Sequence, residues 1–263
     1  MAIIVYALTG PAPGSRIEHP AATSTGVVNE VTQVPPAMFD AVGVTAPMSP
    51  LVAPAVLEGQ PLLVSDGKPE VFFVGSEFCP FCGAERWPLV VALARFGHFS
   101  ALYNMQSSGD SVFPGIETFT FAKPTYSSRY LSFDAVELYS DQVGTDGSYT
   151  RIARLTAPEA ALVVRYRTVD HADTGEAPFV DIGGRMVTAT SGFSPAVLVH
   201  LSQSAIAGDL TQKANPVTQA VLASANYLTA GMCMATGQLP TSVCTSKGVV
   251  EASDALVAKT ATG

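Results

Sequence analysis

The sequence predicts an α/β fold in which a mixed sheet is flanked by helices. The apolar residues 71–74 predict a buried strand, and residues 79–96 predict a helix directly after it. A second strand is predicted at residues 178–182, where Gly183-Gly184 favours a tight hairpin into residues 185–187. Strands that alternate with helices are typical of a sheet with helices packed against it.

The chain of 263 residues is long enough for one domain with a sizeable core. Ten prolines between residues 9 and 70 exclude long helices there, so we expect residues 1–58 to form an N-terminal arm. A compact domain is expected over residues 59–250, with a β-rich insertion at about 106–146 and a C-terminal tail at 251–263.

The first elements are short and are set by prolines and turn residues. Pro35-Pro36 predicts a helical turn at residues 37–42, and Asp66-Gly67 predicts a turn after a strand at 62–64. A strand, a helix and a strand in succession predict that residues 71–74 pair in parallel with residues 99–105.

The later elements follow from periodicity and caps. Thr156 and Glu159 form the pattern of a capping box at the start of a helix. Pro195 and Pro216 stand where the first turn of a helix tolerates proline. These starts predict helices at 157–169, 194–207 and 215–234. Separately, strands are predicted at 118–121 and at 130–139, where apolar residues alternate.

Composition excludes nucleic acid as a partner. The formal net charge is -8, and only 14% of residues are charged. A protein that binds a phosphate backbone presents clustered Lys and Arg, and the sequence has no such run.

The motif Cys79-Pro80-Phe81-Cys82 lies where the strand at 71–74 turns into a helix. A helix N-terminus favours a thiolate, Pro80 suits the first helical turn, and the spacing lets the second thiol reach the first. These features predict an acidic, exposed Cys79 and thiol-disulfide chemistry.

The other two cysteines are Cys233 and Cys244, separated by a loop that contains Gly237 and Pro240. A structural disulfide between them indicates an oxidising compartment, because cytosolic thiols are kept reduced. Two buried thiols that pack as small apolar groups are the alternative.

The apolar residues 3–8 are too few to span a bilayer. One interpretation is a short strand or tail, and the other is the end of a membrane anchor that begins before residue 1. With the second cysteine pair, we expect an extracytoplasmic protein, membrane-anchored or secreted.

The order of these elements resembles the thioredoxin fold. Its matching parts are the strand before Cys79, the dithiol turn, the helix after it, and Ala177-Pro178-Phe179 leading into the hairpin. In thioredoxins a cis-proline at the position of Pro178 lies against the dithiol. The alternative is an ordinary strand-start proline, since few X-Pro bonds are cis.

The residues around the motif, 73–97, resemble more closely an uncharacterised bacterial and archaeal family, a domain of unknown function with a thioredoxin-like domain. The resemblance implies that Cys79 is the nucleophile and Cys82 the resolving thiol. It also implies that Pro178 positions the substrate and that Ala177, with Pro80 and Phe81, contacts it.

The sequence departs from better-known thioredoxins in two respects. The buried strand carboxylate of those proteins falls on an apolar position near Phe73. Glu77 and Glu85 bracket the motif and either raise the pKa of Cys79 by repulsion, relay a proton through water or, as we expect, are exposed charges that Arg86 offsets. The insertion is rich in aromatic residues, which build a substrate groove or, as we expect from their alternating spacing, enlarge the core.

We find no pattern for a metal or a nucleotide. The histidines show no paired spacing, and no phosphate-binding glycine loop or dinucleotide motif is present, so no cofactor is expected. The sequence thus predicts an oxidoreductase that exchanges disulfides with protein thiols and a redox partner protein. The alternative is a non-catalytic binding or assembly module, or a redox sensor, of the cell envelope.

Overall fold

The computed structural model of the chain describes residues 20–123, 125–166 and 176–262. The fold is a mixed α/β arrangement in which a mixed sheet is flanked by helices. The helices are α1 (Thr25–Thr32), α2 (Pro36–Val42), α3 (Pro80–Ala94), α4 (Ala157–Tyr166), α5 (Gln203–Asp209), α6 (Pro216–Ala235), α7 (Thr241–Cys244) and α8 (Lys247–Thr262), with a short 3-10 helix at Pro195–Val197. The strands are β1 (Ala55–Val56), β2 (Val64–Ser65), β3 (Lys68–Gly75), β4 (Gly97–Phe99), β5 (Tyr103–Gln106), β6 (Glu117–Thr120), β7 (Tyr126–Ser128), β8 (Ser132–Glu137), β9 (Tyr139–Val143), β10 (Tyr149–Arg151), β11 (Phe179–Ile182) and β12 (Met186–Thr188).

Strand β3 is the centre of the main sheet. It pairs in parallel with β8 and antiparallel with β11, and the sheet continues through β12 to β1. The predicted hairpin between β11 and β12 is confirmed. Gly183 and Gly184 both have positive φ, 61° and 64°, which the tight turn requires and which glycine adopts without strain.

The two faces of β3 pack against different layers, since successive side chains of a strand point to opposite sides. Val71 and Phe73 lie in the larger core, which also includes α3 and α6. Phe72 and Val74 lie in a smaller core, to which α4 contributes Val163. Both faces of the strand are thus covered, which explains its continuous apolar run.

Helix α6 lies in the larger core and confirms the prediction of a helix at residues 215–234. Asn215 is its N-cap, and its side chain accepts a hydrogen bond from the Val217 N–H. Pro216 occupies the first turn. The helix packs along α3, so it supports the helix that begins at the dithiol.

The prediction that residues 99–105 form the parallel partner of β3 is wrong. The chain there forms two separate short strands, β4 and β5, which pair antiparallel with β7 and β6 outside the main sheet. The parallel partner is β8, from the insertion. Periodicity identified the strands but does not determine which of them pair.

The prediction of one helix over residues 194–207 is also wrong. The 3-10 helix Pro195–Val197 is separated from α5 by His200, whose φ is +65°. A left-handed residue interrupts a helix, and Ser202 then caps a new one by accepting from the Ala205 N–H.

The aromatic residues of the insertion enlarge the core, as expected from their spacing. Phe119 and Phe121 are buried, and the rings of Phe121 and Phe133 meet edge to face at 5.1 Å. Trp87 of α3 packs on Phe119 with ring centroids 4.7 Å apart.

The described part of the predicted arm takes regular structure. The helical turn expected at residues 37–42 is present as α2, and β1 pairs with β12 of the main sheet. The apolar residues 3–8 lie outside the described residues. Among the residues that the structure describes, no helix combines the length and the apolar character needed to cross a bilayer.

Candidate functional site

The Cys79-Pro80-Phe81-Cys82 motif forms the start of α3. Cys79 is the N-cap, and its sulfur accepts a hydrogen bond of 3.2 Å from the Cys82 N–H. Pro80 occupies the first turn, where a missing N–H costs nothing. The predicted junction of strand, turn and helix is therefore present, and both cysteines are thiols.

The prediction that the Cys79 sulfur is exposed is wrong. Cys79 and Cys82 are both 0% exposed. The Cys79 thiol donates to the Glu176 carbonyl oxygen at a sulfur–oxygen distance of 3.2 Å. Because this contact joins residues 97 positions apart, the local sequence gave no sign of it.

The two thiols differ in acidity in the predicted direction. Burial would raise the pKa of Cys79, but hydrogen bonds from the Cys82 thiol and N–H, together with the charge of Arg86, lower it below its ordinary value. Burial, the hydrogen bond to Cys79 and the charge of Cys79 hold the pKa of Cys82 well above its ordinary value. Cys79 is thus the better candidate nucleophile of the pair.

The Glu176 contact brings the segment before β11 to the dithiol. Ala177 and Pro178 follow Glu176 directly, and Pro178 is buried. The cis peptide bond found in the described ranges is Leu239–Pro240, so the cis form that the thioredoxin resemblance implies is not found at Ala177–Pro178. The trans form is the intrinsically preferred one for X-Pro bonds.

Aromatic residues surround the motif. Phe81 is half-buried and meets Phe113 of the insertion edge to face, with centroids 5.6 Å apart. Phe78, just before the motif, stacks on Tyr149 at 4.1 Å. Phe113 of the insertion and Tyr149, just after it, therefore pack against the aromatic residues on both sides of Cys79.

Sequence reasoning missed a buried ion pair next to the dithiol. Arg86 of α3 contacts Glu137, the last residue of β8, through Nε to Oε1 at 2.9 Å and Nη2 to Oε2 at 2.6 Å. Both side chains are 0% exposed. The apolar neighbours of Arg86 in the sequence indicate that its side chain is buried. They do not identify Glu137, 51 residues away, as its partner.

The expectation that Glu77 and Glu85 are exposed charges is wrong for both. Glu85 is 1% exposed, its Oε2 accepts from the Gly192 N–H at 2.8 Å, and burial raises its pKa to about 8. Glu77 is half-buried and accepts a hydrogen bond from the Thr120 hydroxyl, and burial raises its pKa as well. Helix α3 is buried almost completely by its packing against α6, β6 and α1.

The second cysteine pair behaves as predicted. Cys233, near the end of α6, and Cys244, in α7, form a disulfide bond with Cα atoms 5.6 Å apart. This bond lies outside the dithiol motif and attaches α7 to α6. Within the described ranges, no three His, Cys, Asp or Glu side chains are grouped so as to hold a metal ion.

Comparisons with known proteins supply a family. The family model described as "Domain of unknown function (DUF929)" matches residues 56–234, which is more than half of the chain and includes the dithiol motif, β8, β11 and most of α6. No curated protein and no solved structure matches the chain. The chain belongs to the family Domain of unknown function (DUF929).

Proposed function

We propose that this protein is a thiol-disulfide oxidoreductase in which Cys79 is the nucleophile and Cys82 the resolving thiol. The observation that carries the proposal is the hydrogen bond from the Cys82 N–H to Cys79 Sγ at the first turn of a helix. This geometry stabilises a thiolate at Cys79 and keeps the second thiol within reach.

A thioredoxin-like fold is part of the proposal. Three features support it: β3 precedes the dithiol, its parallel neighbour β8 and its antiparallel neighbour β11 lie on either side, and β11 continues into a hairpin. The Glu176 carbonyl next to Cys79 further supports a substrate position beside the backbone of Ala177 and Pro178.

The reaction is a two-electron exchange. The Cys79 thiolate attacks one sulfur of a substrate disulfide, a new S–S bond forms, and the other substrate sulfur leaves as a thiolate that takes up a proton. Cys82 then loses its proton and attacks Cys79 Sγ, which releases the second substrate thiol and leaves a Cys79–Cys82 disulfide. Run in reverse with a substrate dithiol, the same steps oxidise the substrate. A partner protein restores the starting state, with its dithiol after substrate reduction and with its disulfide after substrate oxidation.

The proposed setting is extracytoplasmic, with protein thiols and disulfides as substrates. The Cys233–Cys244 disulfide supports an oxidising compartment, since such bonds are rare in reduced cytosol. A membrane tether before residue 1 belongs to this proposal as well.

One observation favours the second candidate, a redox sensor or a non-catalytic binding module. Cys79 is 0% exposed, and an exchange reaction requires its sulfur to become reachable from solvent. A sensor or a structural thiol pair needs no turnover and tolerates such burial.

The experiment that separates the candidates measures insulin reduction and dithiol oxidation by the purified full chain. We expect Cys79→Ser to abolish both activities, with Cys233→Ser/Cys244→Ser as a matched control that keeps them. A Cys79→Ser variant as active as the parent contradicts the proposal. A parent without activity in either assay favours the second candidate.

A further inference from the structure

A fully buried ion pair lies next to the dithiol. Arg86 and Glu137 are both 0% exposed, and Nη1 of Arg86 is buried without a hydrogen-bond partner among the described residues. Replacing a buried ion pair with apolar side chains is often neutral or stabilising, because two desolvated charges gain little net energy from each other.

The guanidinium is connected to the dithiol through one carbonyl group. Arg86 Nη2 donates to the Ser76 carbonyl at 3.0 Å, and the same carbonyl accepts from the Cys79 N–H at 3.3 Å. Arg86 also follows Cys82 by four residues on α3, so the two side chains lie on the same helix face.

The orientation of the pair is fixed by Glu137. Its two oxygens hold the guanidinium by a bidentate contact, and Oε1 also accepts from the Phe121 N–H at 3.2 Å. The guanidinium is therefore held in place by Glu137 and by the Ser76 carbonyl, and its Nη2 contacts both.

We infer that Arg86, held by Glu137, is a positioning residue that fixes a positive charge beside the two sulfurs and stabilises the Cys79 thiolate. The inference rests on the proposed function and names the group that sets the acidity of its nucleophile. Burial disfavours the charged form of both thiols, and Arg86 acts against burial by lowering the pKa of both. The other titratable groups of this cluster are Glu137 and the half-buried Glu77, with Asp141 interacting with Glu77.

The test replaces the pair with apolar side chains of similar size, Arg86→Met together with Glu137→Leu. The readout is the ultraviolet absorbance of thiolate near 240 nm between pH 4 and pH 9, which reports ionisation without a reagent having to reach the sulfur. We expect the thiolate fraction at neutral pH to fall on the order of tenfold. An opposite charge at close range lowers the pKa of an acidic group by about one unit or more, so removing it raises the thiol pKa by that amount.

The matched control is Arg95→Met. Arg95 caps the far end of the same helix, is half-buried, and contacts Phe39 and Ser246 rather than the dithiol. It should leave the thiolate titration unchanged. Arg86→Lys keeps a positive charge without the bidentate contact and should titrate between the parent and the double variant.

A folded double variant with the titration curve of the parent overturns the inference. If that variant does not fold, the parent alone decides: a first thiol that titrates at or above the ordinary cysteine pKa of about 8.5 also overturns it. The activity of Cys79→Ser tests the proposed function separately. Loss of activity there, with no change of titration in the double variant, refutes the role of Arg86 and leaves the oxidoreductase standing.

Discussion

Cys82 donates its backbone N–H to the sulfur of Cys79 over 3.2 Å, while its own thiol is held in the protein interior. Both sulfurs are buried, but the first turn of α3 treats them differently: hydrogen bonds from Cys82 stabilise a negative charge on Cys79, whereas the neighbouring Cys79 adds to burial in opposing one on Cys82. This difference, more than the Cys-x-x-Cys spacing, supports the proposed order in which the thiols react.

The Cys82→Ala variant should trap substrate as a mixed disulfide. Cys79 keeps its position at the helix start and attacks, but no resolving thiol remains to release the substrate. Non-reducing electrophoresis and mass spectrometry should detect the adduct with a disulfide-containing protein such as insulin. The same adduct on a Cys79→Ser/Cys82→Ala double variant would refute the assigned order.

Gly75→Ala should destabilise the protein, because a Cβ there would lie 2.6 Å from Phe73 Cζ and 3.1 Å from Cys82 Sγ. Overpacking of this kind costs about 1–3 kcal/mol of unfolding free energy. Urea denaturation should show a lower midpoint than the parent. Gly208→Ala is the matched control, since nothing lies within 4 Å of its new methyl group. Equal midpoints for the two variants would contradict the close packing of Gly75 on Cys82.

Glu85→Gln should change how stability depends on pH. Burial raises the pKa of Glu85 from 4.5 to about 8, so the folded state binds a proton that the unfolded state releases. The parent therefore loses stability as pH rises from about 4.5 to about 8, by up to about 1.4 kcal/mol per pH unit from this group.

The glutamine variant lacks this loss while keeping an acceptor for the Gly192 N–H. Denaturation at pH 5 and pH 8 should show that it gains stability over the parent at the higher pH. A constant difference between parent and variant at both pH values would mean that Glu85 is ionised in the folded protein.

Removing the disulfide with Cys233→Ala/Cys244→Ala should lower the unfolding free energy by about 3 kcal/mol. The bond closes a loop with a sequence separation of 11, and the estimate follows from the chain entropy that such a loop removes from the unfolded state. Thermal or urea denaturation of the oxidised parent and the variant measures the difference. Equal stability would show that α7 needs no covalent attachment.

Features set by local sequence could be predicted. The strand before Cys79, the start of α6 at Pro216, and the Gly183-Gly184 turn each depend on a few neighbouring residues, and all three are present in the structure. The Cys233–Cys244 bond belongs with them, since its cysteines are close in sequence.

Features that depend on distant residues could not be predicted. The parallel pairing of β3 with β8 brings Glu137 to Arg86, and periodicity does not specify that pairing. The buried Cys79 likewise contacts the Glu176 carbonyl, far along the chain. The candidate nucleophile was therefore identified from sequence, whereas its surroundings required the three-dimensional structure.

The proposed chemistry requires Cys79 to be the reactive thiol of the folded protein. The most direct measurement is the rate of alkylation of each cysteine by iodoacetamide in the native, reduced chain, resolved by mass spectrometry and followed across pH. We predict that Cys79 is modified first, that its rate rises with a pKa below that of an ordinary cysteine, and that Cys82 is modified only after unfolding. Equal protection of both thiols in the native protein, or faster modification of Cys82, would contradict the account.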